Sequence, residues 1–395
     1  MKKIVFVTGT RADYGKIKAL LKASKESDIF KTYIYITGMH LLKEYGYTFR
    51  HVVEDGYGEC YVEKTVQLTQ AMDENIGNTI IAFSRYVHRI QPDYIVVHGD
   101  RADALAAAIV GMLNNIQIVH IEGGEVTGTV DDSMRHAISK ISHIHMTANE
   151  ETKYRLLQLG EDEKNVYIIG SPDIDIMVSD TLPTIESVKN KYAIPFEEYG
   201  IFIYHPVVTE VDKLDGYMCE IEKWMKGTSE NLVVIYPNND MGSECIVQHL
   251  KNVEAQENVR MFRTIPFEEF LVLLKKADYI IGNSSAGIRE ACIYGVPCIN
   301  IGTRQNGRYN PRMLKNIVSI SENEQEIKNA IESKEQHRFV STYYGTGHST
   351  ELFLKAMEKE IKLHGEDGKK DIQKVFVDLK ETKDHIQQFV NEGCE

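Results

Sequence analysis

The chain has 395 residues, long enough for two domains of ordinary size. With 43% hydrophobic and 26% charged residues it has the mix of a folded soluble protein. Forty-five Lys plus Arg against 58 Asp plus Glu give a net charge of −13, which disfavours nucleic acid and acidic membranes as general partners.

Met1-Lys2-Lys3 followed by Ile4–Val7 starts as a signal peptide does, but the apolar run breaks at Thr8-Gly9-Thr10-Arg11, too early for one. No stretch reaches the roughly 18 apolar residues of a membrane span, so a cytoplasmic protein is expected. The six cysteines show no CxxC and no paired spacing, against a zinc ribbon and against a disulfide framework.

Strands are expected at Ile4–Val7, Tyr33–Ile36, Tyr94–Val97, Ile116–Ile121, His143–Met146 and Val166–Ile169. A second series falls at Ile201–Tyr204, Leu232–Tyr236, Val259–Phe262, Tyr279–Ile281 and Cys298–Ile301. Most are continuously apolar, as parallel strands covered on both faces are. Helical patterns lie between them, at Ile76–Ile90, Ala102–Leu113, Met134–Ile141 and Phe267–Lys276, so the expected class is doubly wound α/β. The pattern pauses across a polar stretch from Ser171 to Gly200 containing three prolines, and the domain boundary is placed there. This predicts domains over 1–175 and 176–365, with ligands bound beyond the carboxyl ends of the strands, in a cleft between the two. After Asn310 the pattern turns helical, and 366–395 reads as a charged tail, a mobile helix or an extension.

Four segments after strands could carry chemistry. Thr8–Lys16 leaves the first strand for a helix and brings Arg11 and Lys16, either as an anion-binding turn or as an ordinary one. It matches neither GxGxxG nor a Walker A loop, so dinucleotide and P-loop readings fail. Gly282–Glu290 offers Asn283, Ser284, Ser285 and Glu290 at a helix start, a phosphate cradle or simple N-capping. Gly302–Arg308 brings Arg304 and Arg308 towards the same edge.

The densest segment joins His98-Gly99-Asp100-Arg101 to His120-Ile121-Glu122-Gly123-Gly124 and Asp131-Asp132, ahead of Arg135 and His136. Three acidic positions at consecutive strand ends suit acid–base work on a polar substrate. The competing readings are N-capping by Asp131 or Asp132 and an arginine salt bridge for Asp100. Glu122, between Ile121 and two glycines, has no comparable structural role. His205-Pro206 closes the first strand of the second domain, as a reactive or a core histidine. His143-x-His145 has no carboxylate at ligand spacing, so it reads as core, and Tyr236–Asp240 as a nucleotide contact or an Asx turn.

RADYGK, HGDRAD, HIEGGE-x-x-GT-x-DDS-x-RHAISK, GSPD, HPVVTE, YPNND, GNSSAGIREA and GTRQNGR occur in this order over 11–308. Together they resemble the hydrolysing UDP-N-acetylglucosamine 2-epimerases of sialic-acid biosynthesis and their legionaminic-acid counterparts. The resemblance implies GT-B architecture, two Rossmann-like domains with C-terminal helices returning to the first. It implies conversion of a UDP-sugar and water to UDP and N-acetylmannosamine through 2-acetamidoglucal, without metal or other cofactor. It also implies a homodimer or homotetramer. Asp100, Glu122, Asp131 and His205 fall at the family's catalytic positions. Arg11, His40, Arg101, Asn238, Ile265, Ser284, Ser285, Glu290 and Arg304 match positions that hold substrate or UDP. Gly15 stands where some animal relatives carry a UDP-contacting serine, so that contact is absent. A glycosyltransferase or a non-catalytic UDP-sugar sensor would share the nucleotide grip, but neither needs the acidic set. The sugar's C4 and C6 substituents separate the two hydrolysing substrates, UDP-N-acetylglucosamine and UDP-2,4-diacetamido-2,4,6-trideoxyglucose. Loops around 45–57 and 59–75 are expected to read them.

Overall fold

A computed structural model describes residues 1–67, 70–127, 130–237, 241–363 and 372–384. The chain divides into two units, one of residues 1–175 with 345–395 and one of 176–344.

The first unit is built on seven parallel strands: β1 (Lys2–Thr8), β2 (Phe30–Ile36), β3 (Glu59–Val62), β4 (Tyr94–His98), β5 (Gln117–Ile121), β6 (Ile144–Thr147) and β7 (Val166–Ile168). Their order is β3-β2-β1-β4-β5-β6-β7, which reverses direction at β1 and so places a switch point between β1 and β4. Side chains alternate between two cores. Ile4, Phe6, Val96, Val119 and Ile121 pack with Leu20, Leu21, Phe353 and Met357 on one face. Val5, Val7, Ile95, Val97 and Ile118 pack with Phe83, Tyr86 and Ala107 on the other. Both faces are covered, which is why these strands read as unbroken apolar runs.

The second unit repeats the plan with β8 (Gly200–Ile203), β9 (Leu232–Ile235), β10 (Val259–Phe262), β11 (Tyr279–Gly282), β12 (Cys298–Ile301) and β13 (Ile317–Ile320). Its order is β10-β9-β8-β11-β12-β13, again switching beside the first strand. Trp224, Met218, Ile221, Ile246 and Leu250 cover one face of this sheet.

Two strands are missing from the sequence reading. β3 and β13 are edge strands of four residues, partly exposed along their length, so neither has the apolar continuity of an interior strand. The segment expected to be a loop at 45–57 contains the helix Phe49–Asp55.

The chain returns to the first unit at 345, so the last helix of the expected 176–365 span belongs with that unit. Asp175 accepts from the Ser349 and Thr350 backbone N–H groups at 2.9 and 2.8 Å, capping the start of the helix Ser349–Leu363. Phe353 and Met357 of that helix enter the first core. Of the expected mobile tail, residues 372–384 are described, and 372–377 are docked. Val377 N donates to Gly160 O at 3.0 Å, and the Phe376 ring packs against Gly160. The Lys374 ammonium donates to the carbonyls of Ser139 (3.3 Å), Lys140 (2.9 Å) and Ser142, closing the C-terminal end of the helix Val130–Ile141.

Lys374 also donates to Glu161 at 2.6 Å, as does His145 Nε2 at 2.9 Å. Core packing for His145 therefore holds, with the correction that a carboxylate does join it. Burial alone would push the Glu161 carboxyl up, but the His145 N–H and the Lys374 ammonium outweigh it and bring it to about 2. Burial lowers His145. Glu161 thus contributes stability that is complete above about pH 4.5 and lost as pH falls towards 2, on the order of 3 kcal/mol. His145 adds to the loss in the same direction, from about pH 6.5 downward. Glu161→Gln is expected to flatten the acid limb of stability against pH, measured by thermal unfolding.

Among the described residues no helix is long and apolar enough to cross a membrane. Cys60, Cys219, Cys245, Cys292 and Cys298 are free thiols.

Candidate functional site

The β4–β5 register sets the acidic cluster of the first unit. His98 pairs with Ile121, and Gly99 N donates to Ile121 O at 2.9 Å, so Asp100 and Glu122 leave the sheet side by side. Glu122 adopts φ +65°, unusual for a residue with a side chain, and is only 5% exposed. Its backbone is fixed at both ends: Glu122 N donates to Met146 O at 3.0 Å, and Arg135 Nη1 donates to Glu122 O at 2.9 Å. Such strain costs roughly 1–3 kcal/mol and persists only where the surroundings over-determine it.

Arg135 connects the pair, because Nη2 of the same guanidinium binds the Asp100 carboxylate. The salt-bridge reading of Asp100 is therefore correct, and it places the carboxylate rather than removing it. Burial raises the Asp100 carboxyl despite Arg135, and the charges of Asp131 and Glu122 add to the rise. Asp131 is thus electrostatically part of this cluster. Asp132 instead accepts from Thr127 N (2.6 Å) and Thr127 Oγ1 (2.8 Å), holding Thr127.

Four further residues complete the cluster, of which Lys16 and His98 stand in segments the sequence singled out. Lys16 Nζ donates to Glu122 Oε1 and Asp173 Oδ2, both at 3.2 Å. Ser171 Oγ lies 3.3 Å from Glu122 Oε1 and binds Asp173. His98 Nε2 is 3.4 Å from Glu122 Oε2. Ser171 and Asp173 belong to the GSPD motif after β7, a strand-end signal noted in the sequence but given no role.

His120 stands behind the cluster, fully buried and held neutral by burial. Gly99 O can only accept, so His120 Nε2 carries the proton it donates at 2.8 Å, and Nδ1 accepts from Ser139 Oγ at 3.0 Å.

The turn after β1 is not an open anion cradle. Asp13 accepts from Gly9 N (3.0 Å), Thr10 N (2.9 Å) and Thr8 Oγ1 (2.8 Å) and closes a capping box with Thr10, so the chain's own carboxylate uses those donors. Arg11 opens the following helix and is exposed. His40, fully buried, has ring nitrogens 3.0 Å from Thr8 Oγ1 and 2.8 Å from Thr48 Oγ1, and burial lowers its pKa. Exposed Arg101 reaches Met39 Sδ at 3.2 Å. Beside it a cavity of about 270 Å³ is lined by Met39, Tyr45, Gln67, Gln70, Arg101 and Asp103, among others, which includes residues of both loops expected to read the sugar.

In the second unit Asn283 organises the site. Its Oδ1 accepts from His205 N at 2.6 Å and its Nδ2 donates to His205 O at 2.8 Å, fixing the His205 backbone beside β11. Asn283 O accepts from Arg304 Nη1 (3.1 Å) and Gln305 Nε2 (2.8 Å). Ser284 caps the short helix Ser285–Arg289, Ser285 is exposed, and Glu290 is buried at its far end. Buried Ile265 lies between β10 and the helix Phe267–Lys276. Asn238 lies outside the described residues. Within this unit the structure joins His205, Ser284 and Arg304 around one asparagine.

Gly282 has φ +128°, and a Cβ there would sit 2.0 Å from Ile203 O. Gly282→Ala is expected to lower the unfolding midpoint by several degrees, as backbone strain of about 1–3 kcal/mol adds to the clash. The check is thermal unfolding with and without UDP.

Residues 22–358 match the family described as UDP-N-acetylglucosamine 2-epimerase. A UDP-N-acetylglucosamine 2-epimerase of Neisseria meningitidis serogroup B is 44% identical over 96% of this chain and 100% of its own. The UDP-N,N'-diacetylbacillosamine 2-epimerase (hydrolyzing) of Legionella pneumophila is 33% identical over 93% of this chain and 98% of its own. The fold matches a crystal structure of a Neisseria meningitidis UDP-GlcNAc 2-epimerase bound to UDP-GlcNAc, with TM-score 0.76 and 18% identity. That match covers 90% of this chain and 100% of the other.

Proposed function

The chain belongs to the UDP-N-acetylglucosamine 2-epimerase family, and within it we propose a hydrolysing enzyme that turns UDP-N-acetylglucosamine and water into UDP and N-acetylmannosamine, for sialic-acid-type sugars. The observation that carries the reading is the meeting of Asp100 and Glu122 on one arginine at neighbouring strand ends, with Asp131 electrostatically against Asp100.

The C2 proton of the sugar is weakly acidic, so its removal needs a positioned base and a leaving group that carries charge away. In the proposed route a carboxylate takes the C2 proton and the C–H electron pair becomes the C1=C2 bond. The C1–O pair departs with UDP, leaving 2-acetamidoglucal. Water oxygen then adds to C1, giving one of its protons to a carboxylate, while a carboxylic acid delivers its proton to C2 from the opposite face, inverting that carbon. Glu122, ion-paired with Lys16, suits proton removal. Asp100, whose carboxyl is raised by burial, suits proton delivery. Ser284, Ser285, Arg304 and His205 are assigned to the diphosphate, and Arg11 and Arg101 to substrate charge. Supporting this reading are the relative at 44% identity and the hydrolysing name carried by the relative at 33%.

Proton NMR with UDP-N-acetylglucosamine in D2O tests it. UDP with N-acetylmannosamine deuterated at C2 is expected. UDP-N-acetylmannosamine as the product would overturn hydrolysis. Turnover of the 4-acetamido-6-deoxy donor alone would move the substrate to the Legionella type.

A further inference from the structure

Far along the sequence from the acidic cluster, two helices of the second unit carry donor side chains at matching spacing. Asp215 and Cys219 lie one turn apart on the helix Leu214–Gly227, and Cys245 and His249 one turn apart on Ser243–Lys251. Residues four apart share a helix face, so each helix presents a pair. The pairs meet: donor atoms of Asp215, Cys245 and His249 all lie within 4.8 Å of one another. His249 Nε2 is 3.1 Å from Asp215 Oδ1, and Cys245 Sγ is 4.0 Å from the same oxygen. Ligands of a tetrahedral zinc ion, at about 2.0–2.3 Å from the metal, stand roughly 3.3–3.8 Å apart.

A second observation concerns the other face of the imidazole. Glu222 Oε2 accepts from His249 Nδ1 at 2.6 Å, and the same oxygen accepts from Asn252 Nδ2 at 3.0 Å. Both carboxylates can only accept, so a bound ion would take the place of the Nε2 proton beside Asp215 while Nδ1 keeps its bond to Glu222. That is the carboxylate–histidine arrangement that orients a metal-ligating ring.

We propose that Asp215, Cys245 and His249 form a three-residue binding site for a thiophilic divalent transition metal, zinc foremost, with the fourth position left to solvent. Thiolate, imidazole and carboxylate together select zinc over magnesium or calcium. The ion would staple two helices that otherwise meet through Met218, Ile221, Ile246 and Leu250, and hold the helix that follows the Tyr236–Asp240 segment. The site takes no part in the turnover proposed above, and its test does not read activity.

The full chain, reduced and stripped with chelator, is titrated with Co2+ alone and then with Zn2+. One equivalent of Co2+ is expected to give a thiolate-to-cobalt charge-transfer band that Zn2+ abolishes. Cys245→Ser and His249→Ala are each expected to remove the band or weaken binding at least tenfold, with circular dichroism unchanged. Glu222→Gln, which spares every ligand, is expected to lose about 10–100-fold in affinity through ring orientation. Absence of the band, its survival in Cys245→Ser, or loss of metal uptake to a Cys219–Cys245 disulfide that persists in reductant would each overturn the site.

Discussion

Replacing Glu122 by Gln is expected to reduce kcat by about 10²–10⁴-fold, the range of a lost general acid–base group, with UDP still bound. Gln keeps the shape, and the backbone bonds from Arg135 and to Met146 O hold it at the same φ, so the fold is expected to survive. Lys16 keeps Asp173 as a partner, so no buried ammonium is stranded. The distinguishing measurement is solvent exchange at C2 in D2O beside UDP release. Loss of both, with UDP affinity retained in calorimetry, places Glu122 at the proton transfer. Unchanged kcat would remove it from the acid–base set.

Arg135→Ala is expected to cost about 3–5 kcal/mol of stability, because Asp100 then faces a part-buried site without its cation. Glu122 O loses a donor in the same step, and the strained φ loses a restraint. The Asp100 carboxyl, already raised, is expected to rise further, so the variant should regain stability as pH falls towards the range where Asp100 is protonated. The double variant Arg135→Ala/Asp100→Asn should recover part of the loss, and that recovery measures the coupling. Thermal unfolding of Arg135→Ala, Asp100→Asn and the double variant against pH decides it. A loss in Arg135→Ala that does not change with pH would show that packing, rather than the ion pair, dominates.

Sequence patterning carried the two wound sheets because every interior strand is apolar on both sides. It lost β3 and β13, which lie at sheet edges and keep solvent-facing residues. Asp100, Glu122 and Asp131 were legible because strand ends with glycine neighbours leave few structural roles for acids. Lys16, Ser171 and Asp173 were not assigned, since their roles depend on three strand-end loops converging, which spacing along the chain does not encode. The turn after β1 was open between two readings. Asp13 resolved it by bending back onto Gly9 and Thr10, a choice between local and ligand hydrogen bonds that composition leaves undecided.

The first unit is interrupted by the second, and this sets an order of events during synthesis. Residues 1–175 leave the ribosome with Phe353 and Met357 still missing from their core and without Lys374 on the last carbonyls of the helix that holds Arg135. The intervening 176–344 form a self-contained sheet and take roughly 10–30 s to make at 5–20 residues per second. Throughout that interval the half carrying the acidic cluster waits with part of its apolar face uncovered, a substrate for chaperones rather than for sugars. Premature termination soon after 344 would then yield a finished second half joined to a first half that lacks Phe353 and Met357 in its core.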